Sequence, residues 1–81
     1  MTAEEIHSKL QDIFRDVFDD DRLVITRATT AADIPDWDSL AQINLIVAIE
    51  RDFNIKVSLD AIETMSNVGD MLDLLAVSVG K

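Results

Sequence analysis

The sequence predicts an all-α fold: a small four-helix bundle, three main helices plus one short helix, with a long loop between helices 1 and 2. Three observations carry that expectation. Apolar residues recur at spacings of three and four in three separate stretches, the period of a helix that buries one face. Each stretch opens at a residue able to cap a helix. The chain also holds only two Gly, one Pro and no Tyr, a composition that favours helices over a sheet. With 81 residues, 48% of them hydrophobic, residues 1–81 form one domain around one compact core.

The first helix is expected to start at Thr2, because Thr2 and Glu5 have capping-box spacing. Ile6, Leu10, Ile13, Phe14 and Val17 then make one apolar face, with Lys9, Asp12, Arg15 and Asp16 mostly opposite. The run Asp19-Asp20-Asp21 suits a helix C-terminus poorly, since the dipole there prefers cations, so the helix should end near Phe18. Residues 19–37 show no sustained period and form the long loop. Leu23, Val24, Ile25 and Ile34 are the residues able to pin it to the core. Val24-Ile25-Thr26 looks strand-like, but no second strand is available to pair with it. Pro35 should keep Ile34 extended.

The second helix should run from about Ser39 to Phe53. Ser39 and Gln42 have capping-box spacing, Asp38 adds negative charge at the positive end of the dipole, and Asn54 can stop the helix in a left-handed conformation. Leu40, Ile43, Ile46 and Val47 point roughly one way, while Ala41, Leu45, Ala48 and Ile49 add apolar surface around most of the rest. A helix so broadly apolar is central to a bundle or offers a surface to partners. A short helix is expected from Ser58 or Leu59 through Met65, with Ile62 and Met65 inward. Asn67 should cap the last helix, whose stripe is Val68, Met71, Leu72, Leu75 and Val79, with Gly80 as its stop.

Composition narrows the function classes. A net charge of −9 and a pI near 4.2 oppose binding to nucleic acid or anionic membranes and favour partners with basic patches. No apolar run is long enough to cross a bilayer, and the acidic N-terminus lacks a signal core. The absence of Cys fits a reducing compartment, so the chain is read as cytoplasmic, with a monomer as the default state. Any thiol chemistry must be added to it. The chain also has a single His with no evident nucleophile partner and no glycine-rich phosphate loop, so it is not read as an enzyme.

The most informative feature is Asp38-Ser39-Leu40, after Trp37 and before the long apolar run. It puts a hydroxyl at a helix start, where unpaired backbone N–H groups tolerate a phosphate well. In this setting of length, acidity and helix order, the triplet resembles that of acyl carrier proteins and related phosphopantetheine carrier domains. The run Leu45-Ile46-Val47-Ala48-Ile49-Glu50, Phe53, Val57 and Asn67-Val68 continue the resemblance over essentially the whole chain.

The resemblance implies that a phosphopantetheinyl transferase moves 4′-phosphopantetheine from coenzyme A onto Ser39. The arm's thiol would then hold acyl groups as thioesters and present them to acyl-loading and acyl-processing enzymes of fatty-acid, polyketide or related secondary-metabolite synthesis. It also implies partner contacts for Asp38, Leu40, Val47, Glu50, Val57 and Glu63, with Trp37 as a further candidate. The chain departs from fatty-acid carriers at Trp37, where Gly is common, and at Ala41, Asn44 and Arg51, where acidic residues are common. These departures suggest a specialised, freestanding carrier.

Plainer readings stand beside these. Ser39 could be only a cap in an unmodified acidic adaptor that binds a protein through the second helix. A peptidyl or aminoacyl carrier would share the serine and arm. Trp37 is most simply a loop anchor, His7 a solvated surface residue, and Asp19–Asp21 a solvated loop without the spacing of a calcium site. Met65 and Met71 read as core filler, or as the flanks of a cavity that admits an acyl chain.

Overall fold

The computed structural model describes residues 2–58, 60, 61, 65 and 67–79. It is all-α, in the order α1 (Ala3–Val17), a 3-10 turn (Ala31–Asp33), α2 (Ser39–Phe53) and α3 (Val68–Val79). No strand occurs among the described residues. The short helix expected from Ser58 or Leu59 to Met65 lies mostly outside the described residues. Within it Asp60 and Ala61 are helical, and Ser58 Oγ accepts from Ala61 N–H at 3.1 Å. Gly80 also lies outside them.

The capping box at Thr2 forms as expected: Glu5 N–H donates to Thr2 Oγ1 at 3.1 Å and Thr2 N–H to Glu5 Oε1 at 3.3 Å. The bond from the Thr2 backbone, then that from its side chain, holds the Glu5 carboxyl below its usual range. α1 ends at Val17, one residue before the expected limit, in a Schellman turn. Asp19 takes a left-handed φ of 51°, Asp20 N–H reaches Arg15 O at 2.9 Å and Asp19 N–H reaches Asp16 O at 3.3 Å. Arg15 stands in the last turn, where the dipole favours a cation.

The loop from 19 to 37 is held by a ladder of α1 side chains. His7 Nε2–H donates to Ile25 O at 2.7 Å, Gln11 Oε1 accepts from Ile25 N–H at 3.1 Å, and Arg15 Nε–H donates to Leu23 O at 2.7 Å. These three side chains, four residues apart, share one face of α1 and supply the partners that a second strand would. His7 is therefore half-buried and tied to the loop, a correction to its reading as a solvated residue. Ile25 and Ile34 are buried and pin the loop as expected. Val24 is 62% exposed and does not. Ile34 is extended, at φ −119° and ψ 102°.

Further along, the loop seals the start of α3. Val68 N–H donates to Thr29 O at 2.8 Å, Gly69 N–H to Arg27 O at 2.9 Å, and Asp70 N–H to Asn67 Oδ1 at 2.9 Å, the cap expected of Asn67. Arg27 Nη2 also donates to both carboxylate oxygens of Asp73 at 3.0 Å. Both side chains are mostly exposed, so that ion pair adds little beside the backbone bonds.

Gly69 makes this closure possible. A Cβ there would stand 2.9 Å from Arg27 O and 3.2 Å from Arg27 Cβ. Gly69→Ala should therefore destabilise: displacing the loop costs about 1–3 kcal/mol, against about 1 kcal/mol gained from helix propensity. A lower midpoint in urea, with faster hydrogen exchange at the Val68 amide, is expected. A raised midpoint would show that the loop gives way freely.

α1 lies against both α2 and α3. The core joins Ile6, Leu10, Ile13 and Phe14 of α1 to Leu45, Ile46, Ile49 and Phe53 of α2, and to Val68, Met71, Leu72 and Leu75 of α3. Ile46 belongs to this core and not to the outward stripe of Leu40, Ile43 and Val47, correcting the grouping expected from the sequence. Met71 fills the core and Met65 packs against it. No helix among the described residues is long and apolar enough to cross a membrane.

Candidate functional site

The site is built at the start of α2. Asp38 is extended, and its Oδ1 accepts from Ala41 N–H at 2.9 Å while its carbonyl accepts from Gln42 N–H at 2.9 Å. Asp38, not Ser39, is thus the N-cap, and Ser39 is the first helical residue. The Ser-Gln box expected from the sequence does not form, because Gln42 Oε1 accepts instead from Trp37 Nε1–H at 2.6 Å. At the other end Asn54 takes the expected left-handed conformation, φ 55° and ψ 49°, and its N–H donates to Glu50 O.

Ser39 is exposed. Its own N–H and that of Leu40 meet no acceptor among the described residues, whereas the Asp38 carboxylate takes the third N–H of the helix. Helix starts favour anions through such free donors and through the dipole. The contrast with α3 is informative, since its first three N–H groups are all occupied. A hydroxyl beside two open donors fits a phosphodiester. The Asp38 charge opposes one, but it is engaged with Ala41 and its cap bond fixes the turn.

Around the serine, Leu40, Ile43 and Val47 are 66%, 50% and 56% exposed. They form one apolar stripe on α2, with Asn44 exposed beside it. Ala41 is buried, so its departure from an acidic residue does not alter this outer face. Arg51 is exposed and pairs with Asp52 at 3.1 Å. Glu50 is half-buried, and its Oε2 accepts from Val57 N–H at 2.9 Å, tying down the segment after α2. Val57 packs partly against the core. Glu63 lies outside the described residues.

Trp37 is half-buried. Its ring stands edge-on to Phe14 at 5.4 Å and 82°, and 6.1 Å from Phe18, the loop anchor expected of it. The structure thus brings Trp37, Asp38, Ser39 and Leu40 together at one end of α2, with Val47 two turns on. Glu50 and Val57 meet at its other end. Gln42 is the residue that sequence reasoning missed. The signal for it was a tryptophan N–H in need of an acceptor, with a glutamine five residues on.

Residues 8–75 match the family model described as phosphopantetheine attachment site. The chain is 33% identical over 79 residues to an acyl carrier protein of Guillardia theta, covering 98% of each. It is 31% identical over 75 residues to an acyl carrier protein of Lactobacillus acidophilus, covering 93% of this chain and 94% of that protein. It also resembles the solution NMR structure of holo acyl carrier protein from Geobacter metallireducens. There the TM-score is 0.85 at 46% identity, over 91% of this chain and 85% of that one.

Proposed function

The chain belongs to the acyl carrier protein family, and we propose that Ser39 is the residue to which its 4′-phosphopantetheine arm is joined. Acyl carriage on that covalently attached group is its function, and the family is one of carriers, not catalysts. The single observation that supports Ser39 is its place as the exposed first residue of α2, beside two unengaged backbone donors. When bound, the group supplies a thiol that the cysteine-free chain lacks, and with it the thioester that holds the cargo.

In attachment, Ser39 Oγ would lose its proton to a base of the transferase and bond to phosphorus of coenzyme A, with the pyrophosphate bond breaking and the adenine nucleotide as the leaving group. Ser39 then serves as a tether. The two open N–H groups favour the resulting phosphodiester. Asp38 keeps the turn closed while this happens.

As a family member the chain meets a phosphopantetheinyl transferase and acyl-handling enzymes. We assign the docking to the exposed stripe Leu40, Ile43 and Val47, bordered at the serine end by the exposed Asp36 and Asp38. Such a face suits partners with an apolar socket and basic surroundings, and charge steering speeds the encounter. Glu50 and Val57 are assigned to the far end of that helix, and Glu63 to partner contact on the family resemblance alone. The acidic, cysteine-free composition supports a cytoplasmic carrier without independent catalysis.

The test is to incubate the unmodified chain with coenzyme A and a promiscuous transferase and weigh it intact, then locate the added mass by fragmentation. The expected result is one arm per chain, on Ser39. A chain that stays at its bare mass, or carries the arm on another hydroxyl, overturns the assignment.

A further inference from the structure

The segment that delivers Ser39 is fastened more heavily than a cap requires. Trp37 N–H donates to Ile34 O at 3.0 Å, and Ile34 is itself buried. The Trp37 ring is wedged against Phe14 and Phe18 of the α1 end. Its Nε1–H donates to Gln42 Oε1, five residues on, at 2.6 Å. Asp38 Oδ1 closes a smaller loop inside this one, through Ala41 N–H. Ser39 therefore sits inside two nested closures, 38 to 41 and 37 to 42. The Asp38–Ser39 link cannot turn without breaking both.

We infer that Trp37 and Gln42 form a positioning lock that presets the Ser39 hydroxyl for transfer of the arm. The inference rests on Ser39 being the attachment residue and deepens that reading. Helix starts fray, because their first N–H groups lack intrahelical partners. At α2 those of Ser39 and Leu40 are open, and the first backbone bond across the turn is that of Gln42 N–H to Asp38 O. The indole–amide bond adds to it from the side chains, short and half-shielded from water. In-line attack on phosphorus needs Oγ at a fixed distance and angle. A turn already held in that shape spares the transferase the ordering of a mobile one. Neither residue touches the reacting atoms in this account; both act through the backbone of Ser39. Sequence proximity alone does not produce the lock, since the ring must first be anchored by residues of α1.

The test is steady-state kinetics of arm transfer with W37F, Q42M and the double variant, each unmodified and checked for helicity. W37F removes the donor and keeps an aromatic ring for Phe14. Q42M removes the acceptor and keeps side-chain length. Each should lower kcat by about three- to tenfold with KM within about twofold, because the docking stripe is untouched and only the competent fraction of the turn falls. The double variant should lose no more than either single one, the signature of a shared bond. Unchanged kcat in W37F or Q42M overturns the lock. So does a double variant whose loss is the product of the two. If the parent chain gains no mass on Ser39 in the same assay, the attachment reading fails first and the lock with it.

Discussion

Ser39→Ala should abolish uptake of the arm and leave stability within about 0.5 kcal/mol of the parent. The two halves of that result have separate causes. On the proposed assignment the hydroxyl is the nucleophile, so its removal leaves nothing to join. Structurally, Ser39 is an exposed first helical residue whose side chain makes no hydrogen bond among the described residues, and alanine is the better helix former. The cap belongs to Asp38, so Asp38→Ala is the variant that should lower stability, by about 1 kcal/mol. At about 4–8 °C per kcal/mol for a chain of this size, thermal unfolding separates the two variants, while intact mass reports the arm. An unmodified adaptor with the same Asp38 cap would show the same order of stabilities, and its parent chain would gain no arm. A Ser39→Ala chain that still gained the arm would move the attachment to another residue.

Phe14→Ala should be the most damaging single truncation, at about 3–5 kcal/mol. Phe14 is fully buried on α1, with its ring 5.9 Å from Phe18 and 5.4 Å from Trp37. Its removal opens a cavity where helix and loop meet. A chain of this length has about 4–12 kcal/mol of stability in all, so the loss is a large share of the total. The midpoint of thermal unfolding should fall by at least about 12 °C. Trp37 loses its edge-on neighbour in the same stroke, and its emission should move to the red as water reaches the ring. A loss below about 1 kcal/mol would mean that Trp37 and Phe18 collapse into the gap, and that the aromatic cluster is not the anchor described above.

Local chemistry made most of this fold legible. Thr2 with Glu5, Asn54 and Asn67 each announced a helix boundary within a few residues, and each does in the structure what its side chain predicts. Spacing also gave the buried faces of α1 and α3, because their apolar stripes are narrow. It failed on α2, which is apolar around most of its circumference, so nothing local told Ile46, buried, from Ile43, half-exposed.

At the site, two adjacent cap-forming residues competed for one position. Asp38 won because the partner that would have completed a box for Ser39, Gln42, is engaged by Trp37. His7, Gln11 and Arg15 could not be read as loop holders, since their partners lie 8 to 18 residues away and are backbone atoms without a sequence signature. The serine was legible for the opposite reason: it lies outside, where packing does not redirect it.

The ladder on α1 has a consequence for association between copies. Leu23-Val24-Ile25-Thr26 has the composition of a strand, with three β-branched residues in a row and Val24 already bare to water. An unguarded backbone edge of that composition is a template for aggregation. By occupying Leu23 O and both polar groups of Ile25, the three helix side chains act as gatekeepers, and a helical protein with no sheet partner to offer keeps a sticky ribbon from finding one in its neighbour.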